Sequence, residues 1–101
     1  MYVKIHNSGA YGGHREVVAV CDEDLLGKVL KGDNIELKVT ESFYKGEKKS
    51  EQEVILILKK ASNSNLVGKM SIAAGIKAHV IAEENVIMIG GIPHAQAFTL
   101  L

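Results

Sequence analysis

The chain has 101 residues, a length typical of one domain, and we predict a single domain over residues 1–101. Twelve lysines and arginines balance twelve acidic residues, so the formal net charge is zero when histidine is neutral. Nucleic-acid-binding domains usually carry a positive surplus, which this chain lacks as a whole, so basic contacts would have to come from a local patch. One cysteine excludes an intrachain disulfide, and the sequence contains neither a signal peptide nor an apolar run of membrane-spanning length. We therefore expect a cytoplasmic protein without a membrane partner.

A glycine-rich loop separates two predicted strands at the N-terminus. Residues 2–6 alternate and are rich in strand formers, and the run EVVAVC at 16–21 is apolar on both faces, as in a central strand. The intervening SGAYGGHRE leads into a strand, whereas phosphate-binding loops lead into a helix, so it matches neither the P-loop nor the dinucleotide-binding fingerprint. It is either a hairpin loop whose glycines adopt positive φ or a loop that holds a carboxylate or phosphate. The second interpretation makes candidate binding residues of Gly12, Gly13, His14 and Arg15.

Three segments in the middle of the chain predict helices. DEDLLGKVLKG, at 22–32, has acids in its first turn and leucine and valine at helical spacing, which predicts a short helix. Ser50 and Glu53 match a capping box, so a second helix should begin at Ser50 and end near KKASNSN. We predict a third helix over 65–75.

The remaining segments predict strands. NIELKVT, at 34–40, alternates cleanly, as a half-buried strand does. IKAHVIA at 76–82 and VIMIG at 86–90 predict a hairpin with EEN as its turn. The resulting order is β-β-α-β-α-α-β-β. Because consecutive strands occur at both ends, we predict an α+β fold with a mixed or largely antiparallel sheet and about three helices.

Polar residues interrupt the apolar segment GIPHAQAF near the C-terminus. If this segment is extended, His94 and Gln96 point to the same side, because side chains alternate along a strand. A histidine near neutral pH can be a base, an acid or a metal ligand, and a glutamine amide both donates and accepts hydrogen bonds. The alternative is a structural histidine that ties down the C-terminus. We take His94, Gln96 and Asn65 as candidate binding residues.

Cys21 lies between a predicted strand and a predicted helix, whose dipole would lower the pKa of the thiol. A cysteine nucleophile would also need a nearby histidine, such as His6, His14 or His94. The alternative is a buried, inert thiol. No pair of histidines has metal-binding spacing, so we predict no metal and no cofactor.

Lysines at 45–49 and 59–60 could form a basic edge suited to RNA. Because glutamates are interleaved with them, we prefer the interpretation that they are a solvated charged surface. No catalytic residue follows from the sequence.

Four segments together carry a family resemblance, namely MYVKIHNSGAYGGHREVVAVCDEDLLGK, FYKGEK, NLVGKMSIAAGI and GIPHAQ. In this combination the chain resembles, from end to end, a small archaeal family catalogued as domain of unknown function number 424. The resemblance implies a stand-alone cytoplasmic archaeal protein of about this length. It implies no catalytic residues.

Three functional hypotheses follow from the sequence. The first is a non-catalytic binding or adaptor module in translation or RNA metabolism, with RNA or a protein as partner. The second is a small enzyme with a Cys/His site, in which Arg15 holds an anionic substrate. The third is a structural subunit of a homo-oligomer, because VIMIGGI has the apolar character of an edge strand that invites pairing.

Overall fold

In the computed structural model, which describes residues 1–7 and 16–98, the chain folds into eight strands, three α-helices and two short 3₁₀ turns. The strands are β1 Tyr2–Asn7, β2 Glu16–Cys21, β3 Val29–Gly32, β4 Ile35–Lys38, β5 Glu47–Lys48, β6 Asn63–Val67, β7 Ile87–Ile89 and β8 Ile92–Phe98. The α-helices are α1 Glu41–Tyr44, α2 Glu51–Lys60 and α3 Lys69–Lys77. The predicted α+β fold is confirmed.

Six of the strands form one mixed sheet in the order β5-β1-β2-β6-β8-β7, and β3 pairs with β4 in a separate hairpin. Strands β2 and β6 run parallel in the middle of the sheet, and the other described pairs are antiparallel. The sheet is therefore largely antiparallel, as predicted. The central position of β2 explains why EVVAVC is apolar on both faces.

The sheet separates two apolar cores. On one face, which we call the helix face, α2 and α3 pack against residues such as Val18 and Leu66. On the other, which we call the hairpin face, the β3–β4 hairpin and α1 pack against residues such as Ala19 and Val67. Because side chains alternate along a strand, neighbouring residues of β2 and β6 serve opposite cores.

Helix α2 begins as the capping box predicts. The Ser50 hydroxyl accepts a hydrogen bond from the Glu53 backbone N–H at 3.2 Å, and the Glu53 carboxylate accepts one from the Ser50 N–H at 3.1 Å. Both bonds satisfy backbone donors that the first turn of a helix leaves unpaired. Val54 and Leu58 lie one turn apart and fix α2 to the helix face.

The helix predicted over 22–32 is wrong. A single 3₁₀ turn, Glu23–Leu25, is followed by Gly27 at φ +86°, which no α-helix contains, and then by β3. Asp33 and Asn34 form the two-residue turn into β4, and Asn34 adopts φ +62°. A two-residue turn of this kind between alternating runs is a hairpin signal, and it prevails over the helical spacing of the leucines.

The third helix begins at Lys69, four residues later than predicted, because residues 63–67 form the central strand β6. A strand buried on both faces has no polar alternation, so its periodicity does not separate it from a helix. Gly68 lies between the two elements at φ +110°, and a Cβ there would overlap the Asp22 carboxylate.

Asp22, although far from α3 in sequence, caps the N-terminus of this helix. Its carboxylate accepts hydrogen bonds from the backbone N–H groups of Met70, at 3.0 Å, and Ser71, at 2.8 Å. The Ser71 hydroxyl donates a third, at 2.8 Å. Asp22 is therefore a helix N-terminal charge, as its acidic cluster suggested, but of a different helix.

The strand predicted over 76–82 is also wrong. Helix α3 continues to Lys77, and His79 at φ +61° ends it in a Schellman motif, in which the Val80 N–H donates to the Gly75 carbonyl at 3.1 Å. The C-terminal hairpin instead joins β7 to β8. Its turn is the pair Gly90–Gly91, at φ +57° and +81°, which suits a two-residue hairpin.

Candidate ligand-binding site

Residues paired across neighbouring strands form three rows on the hairpin face of the sheet. The first row consists of Lys48, Tyr2, Cys21, Val67, His94 and Ile87. The second row consists of Lys4, Ala19, Asn65 and Gln96. The third row includes His6, Asn63 and Phe98. Four of the predicted candidates, Cys21, Asn65, His94 and Gln96, therefore share one face. The last three lie on the neighbouring strands β6 and β8, and β8 is extended as the shared side of His94 and Gln96 requires.

Along β6 and β8, the cover over this face decreases from the first row to the third. His94 in the first row is buried, Asn65 in the second is half-buried, and its partner Gln96 is exposed. In the third row, 65% of the Phe98 surface is accessible. We call Asn63 and Phe98 the open end of the face. His6, in the same row, is covered by the Phe43 ring, which stacks on it with the ring centres 4.7 Å apart.

A depression of about 330 Å³ lies where the hairpin and β7 meet β8. Its lining combines aliphatic and uncharged polar groups and consists of Ile35, Asn85, Ile87, His94, Ala95 and Gln96. We call this depression the β8 pocket. Its mixture of apolar walls with a few convergent polar groups is typical of small-molecule sites, and its volume falls in their lower range.

His94 supplies the most defined group of the β8 pocket. Its Nδ1 lies 2.8 Å from the Leu66 carbonyl oxygen, which can only accept, so we assign the proton to Nδ1. Burial lowers the pKa of His94, against the opposing effect of the Leu66 carbonyl, so the ring is neutral at pH 7. In this tautomer Nε2 carries a lone pair, which makes it a hydrogen-bond acceptor for a ligand.

Gln96 and Asn65 lie directly opposite each other on β8 and β6. The Asn65 Oδ1 accepts a hydrogen bond from the Tyr44 hydroxyl at 2.6 Å. This bond fixes the orientation of the amide and leaves its Nδ2 to donate to a ligand. Tyr44 is itself buried, and burial raises the pKa of its hydroxyl to about 12, so it remains a donor at neutral pH. Asn65 is thus a positioned amide beside the exposed amide of Gln96.

Cys21 does not have the properties of a nucleophile. Its thiol is fully buried, and burial, followed by the charge of Asp22, raises its pKa to about 11. The expected lowering of this pKa by a helix dipole is wrong, because a 3₁₀ turn follows the strand in place of a helix. Val67 separates Cys21 from His94 in the first row, so their backbones are two strands, roughly 10 Å, apart. Cys21 fits the alternative of a buried, inert thiol.

The loop candidates Gly12, Gly13, His14 and Arg15 lie outside the described residues. The strands on either side of this loop end opposite each other, with Asn7 paired to Glu16.

The lysines at 45–49 are largely paired with carboxylates. The ammonium of Lys48 lies 2.7 Å from Glu23, and that of Lys49 lies 3.0 Å from Glu47 and 3.8 Å from Glu53. These contacts support the preferred interpretation, a solvated charged surface. A second depression, also of about 330 Å³, lies between β1, β5 and α2, and its charged side chains include this Lys49–Glu47 pair.

Sequence reasoning missed several residues of the site. Phe98 was within reach of the pattern, because it follows Gln96 by two positions on the same strand. Ile35 and Asn85 carry no such signal, because the hairpin and a 3₁₀ turn bring them to β8 only through tertiary structure.

In the described part of the chain, no three side chains of His, Cys, Asp or Glu come together as metal ligands would. Among the helices described, none is long and apolar enough to span a membrane.

Comparisons with known proteins agree with the fold. The family model described as "Protein of unknown function (DUF424)" matches residues 10–100. The chain is also similar to a solved structure described as "Crystal structure of an uncharacterized conserved protein from Methanopyrus kandleri", at 26% identity and a TM-score of 0.81. That match covers 99% of this chain and 93% of the other. No curated protein matches the chain.

Proposed function

The chain belongs to the protein family of unknown function DUF424, and on that premise we propose that it is a non-catalytic binding module. Its site is the β8 pocket, which holds an uncharged, planar group that presents at least one hydrogen-bond donor. The observation that carries this proposal is the 2.8 Å contact between His94 Nδ1 and the Leu66 carbonyl oxygen, from which we assign the Nδ1–H tautomer, whose Nε2 can accept but not donate.

The lining of the β8 pocket defines the chemistry of the ligand. Gln96 and Asn85 each offer an amide that donates and accepts, and Ile35 and Ile87 offer apolar walls. None of the lining side chains is a lysine, arginine, aspartate or glutamate, so the pocket has no counter-charge for a phosphate or a carboxylate. A nucleobase or a carboxamide fits these groups better than an anion does.

Ligand-observed saturation-transfer NMR tests this proposal with uracil, adenine and N-methylacetamide as probes. At least one probe should give a signal with the wild-type chain, and Gln96→Ala should weaken it. The matched control is Gln52→Ala, which changes an exposed glutamine on α2, outside the pocket lining. The proposal is wrong if no probe binds, or if both variants weaken binding equally.

A second candidate function is a structural subunit of a homo-oligomer, and the position of β7 favours it. Strand β7 forms one edge of the sheet, with Ile87 46% and Met88 59% exposed. Met88 is paired with Pro93, which has no N–H, so the Met88 N–H and carbonyl point toward the free edge. Sedimentation equilibrium should then show a dimer that Met88→Pro abolishes, and a monomer at high protein concentration would contradict it.

A further inference from the structure

We infer that the β8 pocket and the open end form one platform for single-stranded nucleic acid, with a base in the pocket and the neighbouring base stacked on Phe98. This inference rests on the proposed function and extends it from a single group to a polymer. It names Phe98 as the stacking residue, and it places the path of the strand along β8 toward the open end.

The geometry of β8 supports two adjacent base sites. Gln96 and Phe98 point to the same side and lie roughly 7 Å apart along the strand, at about 3.4 Å per residue. A base can enter the pocket beside Gln96 only after it has left the base stack of a duplex. Only an unpaired strand can place one base in a pocket and the next on an aromatic ring.

Phe98 is the one aromatic side chain among the large apolar residues that are exposed in the described part of the chain. Phenylalanine is usually buried, yet Phe98 is 65% exposed at the end of β8. Its neighbours on the hairpin face, Asn63 opposite it and Gln96 along the strand, are polar. An aromatic ring on the open face of a sheet is a common way to stack an unpaired base, which every base permits because every base has a π-face.

Amide groups line the path beside Phe98. Asn63 lies directly opposite Phe98, and Asn65 lies directly opposite Gln96. The Tyr44 hydroxyl donates to the Asn65 Oδ1, so the Asn65 Nδ2 is left to donate to a base or to a sugar-phosphate oxygen. Side-chain amides of this kind read the edges of splayed bases in single-stranded recognition.

The strands that carry the platform are uncharged, since β6 and β8 contain no lysine, arginine, aspartate or glutamate in their described residues. Lys4 belongs to the same face but lies three strands from Gln96, and its ammonium donates to the Ser42 carbonyl at 2.7 Å, at the edge of α1. The described strands of the six-stranded sheet contain two acidic residues, Glu16 and Glu47. Glu16 pairs with Asn7, and the side chains of this pair lie on the helix face, opposite the platform. Glu47 belongs to the outer strand β5. The central strands that carry the platform therefore place no carboxylate on it.

Fluorescence anisotropy with labelled eight-nucleotide oligouridine and oligothymidine tests the inference, with a duplex RNA as the competitor. At least one single strand should bind, and duplex RNA should not displace it. Phe98→Ala should weaken binding about tenfold or more, as expected when one base loses its stacking partner. Phe98→Tyr, which keeps an aromatic face, should retain binding.

The matched control is Leu56→Ala, which removes a side chain of similar exposure, 62%, from α2. It should leave binding unchanged. Uracil binding in the pocket with no tighter binding of either oligonucleotide would overturn this inference while the proposed function stands. Equal loss of binding in Phe98→Ala and Leu56→Ala would overturn it, as would a dimer that buries Phe98 and dissociates in Phe98→Ala.

Discussion

At the scale of single residues, one hydrogen bond decides the chemistry of the pocket. The Leu66 carbonyl selects the Nδ1–H tautomer of His94, and burial keeps the ring neutral. The structural role that the sequence allowed for this histidine and a binding role therefore coexist, because each uses a different ring nitrogen.

The lowered pKa of His94 predicts a specific pH dependence of stability. As the pH falls below about 6.5, the unfolded chain takes up the proton before the native chain does, so the free energy of unfolding decreases until the native pKa is passed. Urea unfolding at several pH values between 4 and 8 should show this loss in the wild type, and His94→Gln should reduce it.

His79→Asn is the control for this series, because His79 is an exposed histidine in a left-handed position that asparagine tolerates. It removes one imidazole outside the lining of the β8 pocket, as His94→Gln removes one inside it. A His94→Gln slope identical to that of the wild type between pH 5 and 6.5 would contradict the assigned environment.

Cys21 should be unreactive in the native protein. Its buried thiol has a pKa raised to about 11, so at pH 8 it is protonated and shielded from reagents. A chromogenic disulfide reagent should label it only at the rate of unfolding, and rapidly once urea is added. Fast stoichiometric labelling of the folded chain at pH 8 would refute this and revive a cysteine nucleophile.

At the scale of elements, α3 depends on a residue far away in sequence. The Asp22 carboxylate accepts three hydrogen bonds at the helix N-terminus, where Gly68 leaves room for it. Asp22→Ala should lower the free energy of unfolding by about 2–3 kcal/mol, because it removes a cap and leaves largely buried donors unpaired.

Chemical denaturation followed by circular dichroism measures this effect. The neighbouring Asp24 is exposed, and Asp24→Ala should leave stability close to that of the wild type. If the two variants are equally stable, the cap does not contribute as described.

The elements that local signals specify were predictable, and those that tertiary contacts specify were not. The capping box placed the start of α2, and alternation placed β1. The strand that holds His94 and Gln96 was considered only as a condition for their sharing one side, and the structure forms it as β8. The same rules wrongly predicted a helix over 22–32, because its leucines have helical spacing, and over 65–68, because that run lacks alternation. Neither pattern carries information about which strand pairs with the segment.

The same division applies to the candidate site. Asn65, His94 and Gln96 were chosen from the sequence and share one face of the sheet. Cys21, chosen with them, is buried in the same face away from the pocket, since Val67 lies between it and His94. The pocket walls could not be predicted, because Ile35 reaches β8 through a hairpin that the sequence analysis interpreted as part of a helix and a strand.

At the scale of the whole molecule, a net charge of zero is compatible with nucleic-acid binding if stacking and amide contacts supply most of the affinity. On the described hairpin face Lys48 is paired with Glu23 and the Lys4 ammonium donates to the Ser42 carbonyl, so we expect at most about one phosphate contact. For a single strand this predicts a loss of affinity of only about fivefold between 50 and 500 mM salt. Anisotropy titrations across that range measure the slope, and a loss of a hundredfold or more would point to a basic site elsewhere.

The measurement that most directly tests the central claim is a map of backbone amide chemical-shift changes on titration with uracil and then with oligouridine. The account predicts that uracil shifts residues around the β8 pocket, including Asn85, Ile87 and Gln96, and that oligouridine extends the shifts to Asn63 and Phe98. Shifts confined to α2 and α3, or to the lysines at 45–49, or no shifts with either probe, would contradict it.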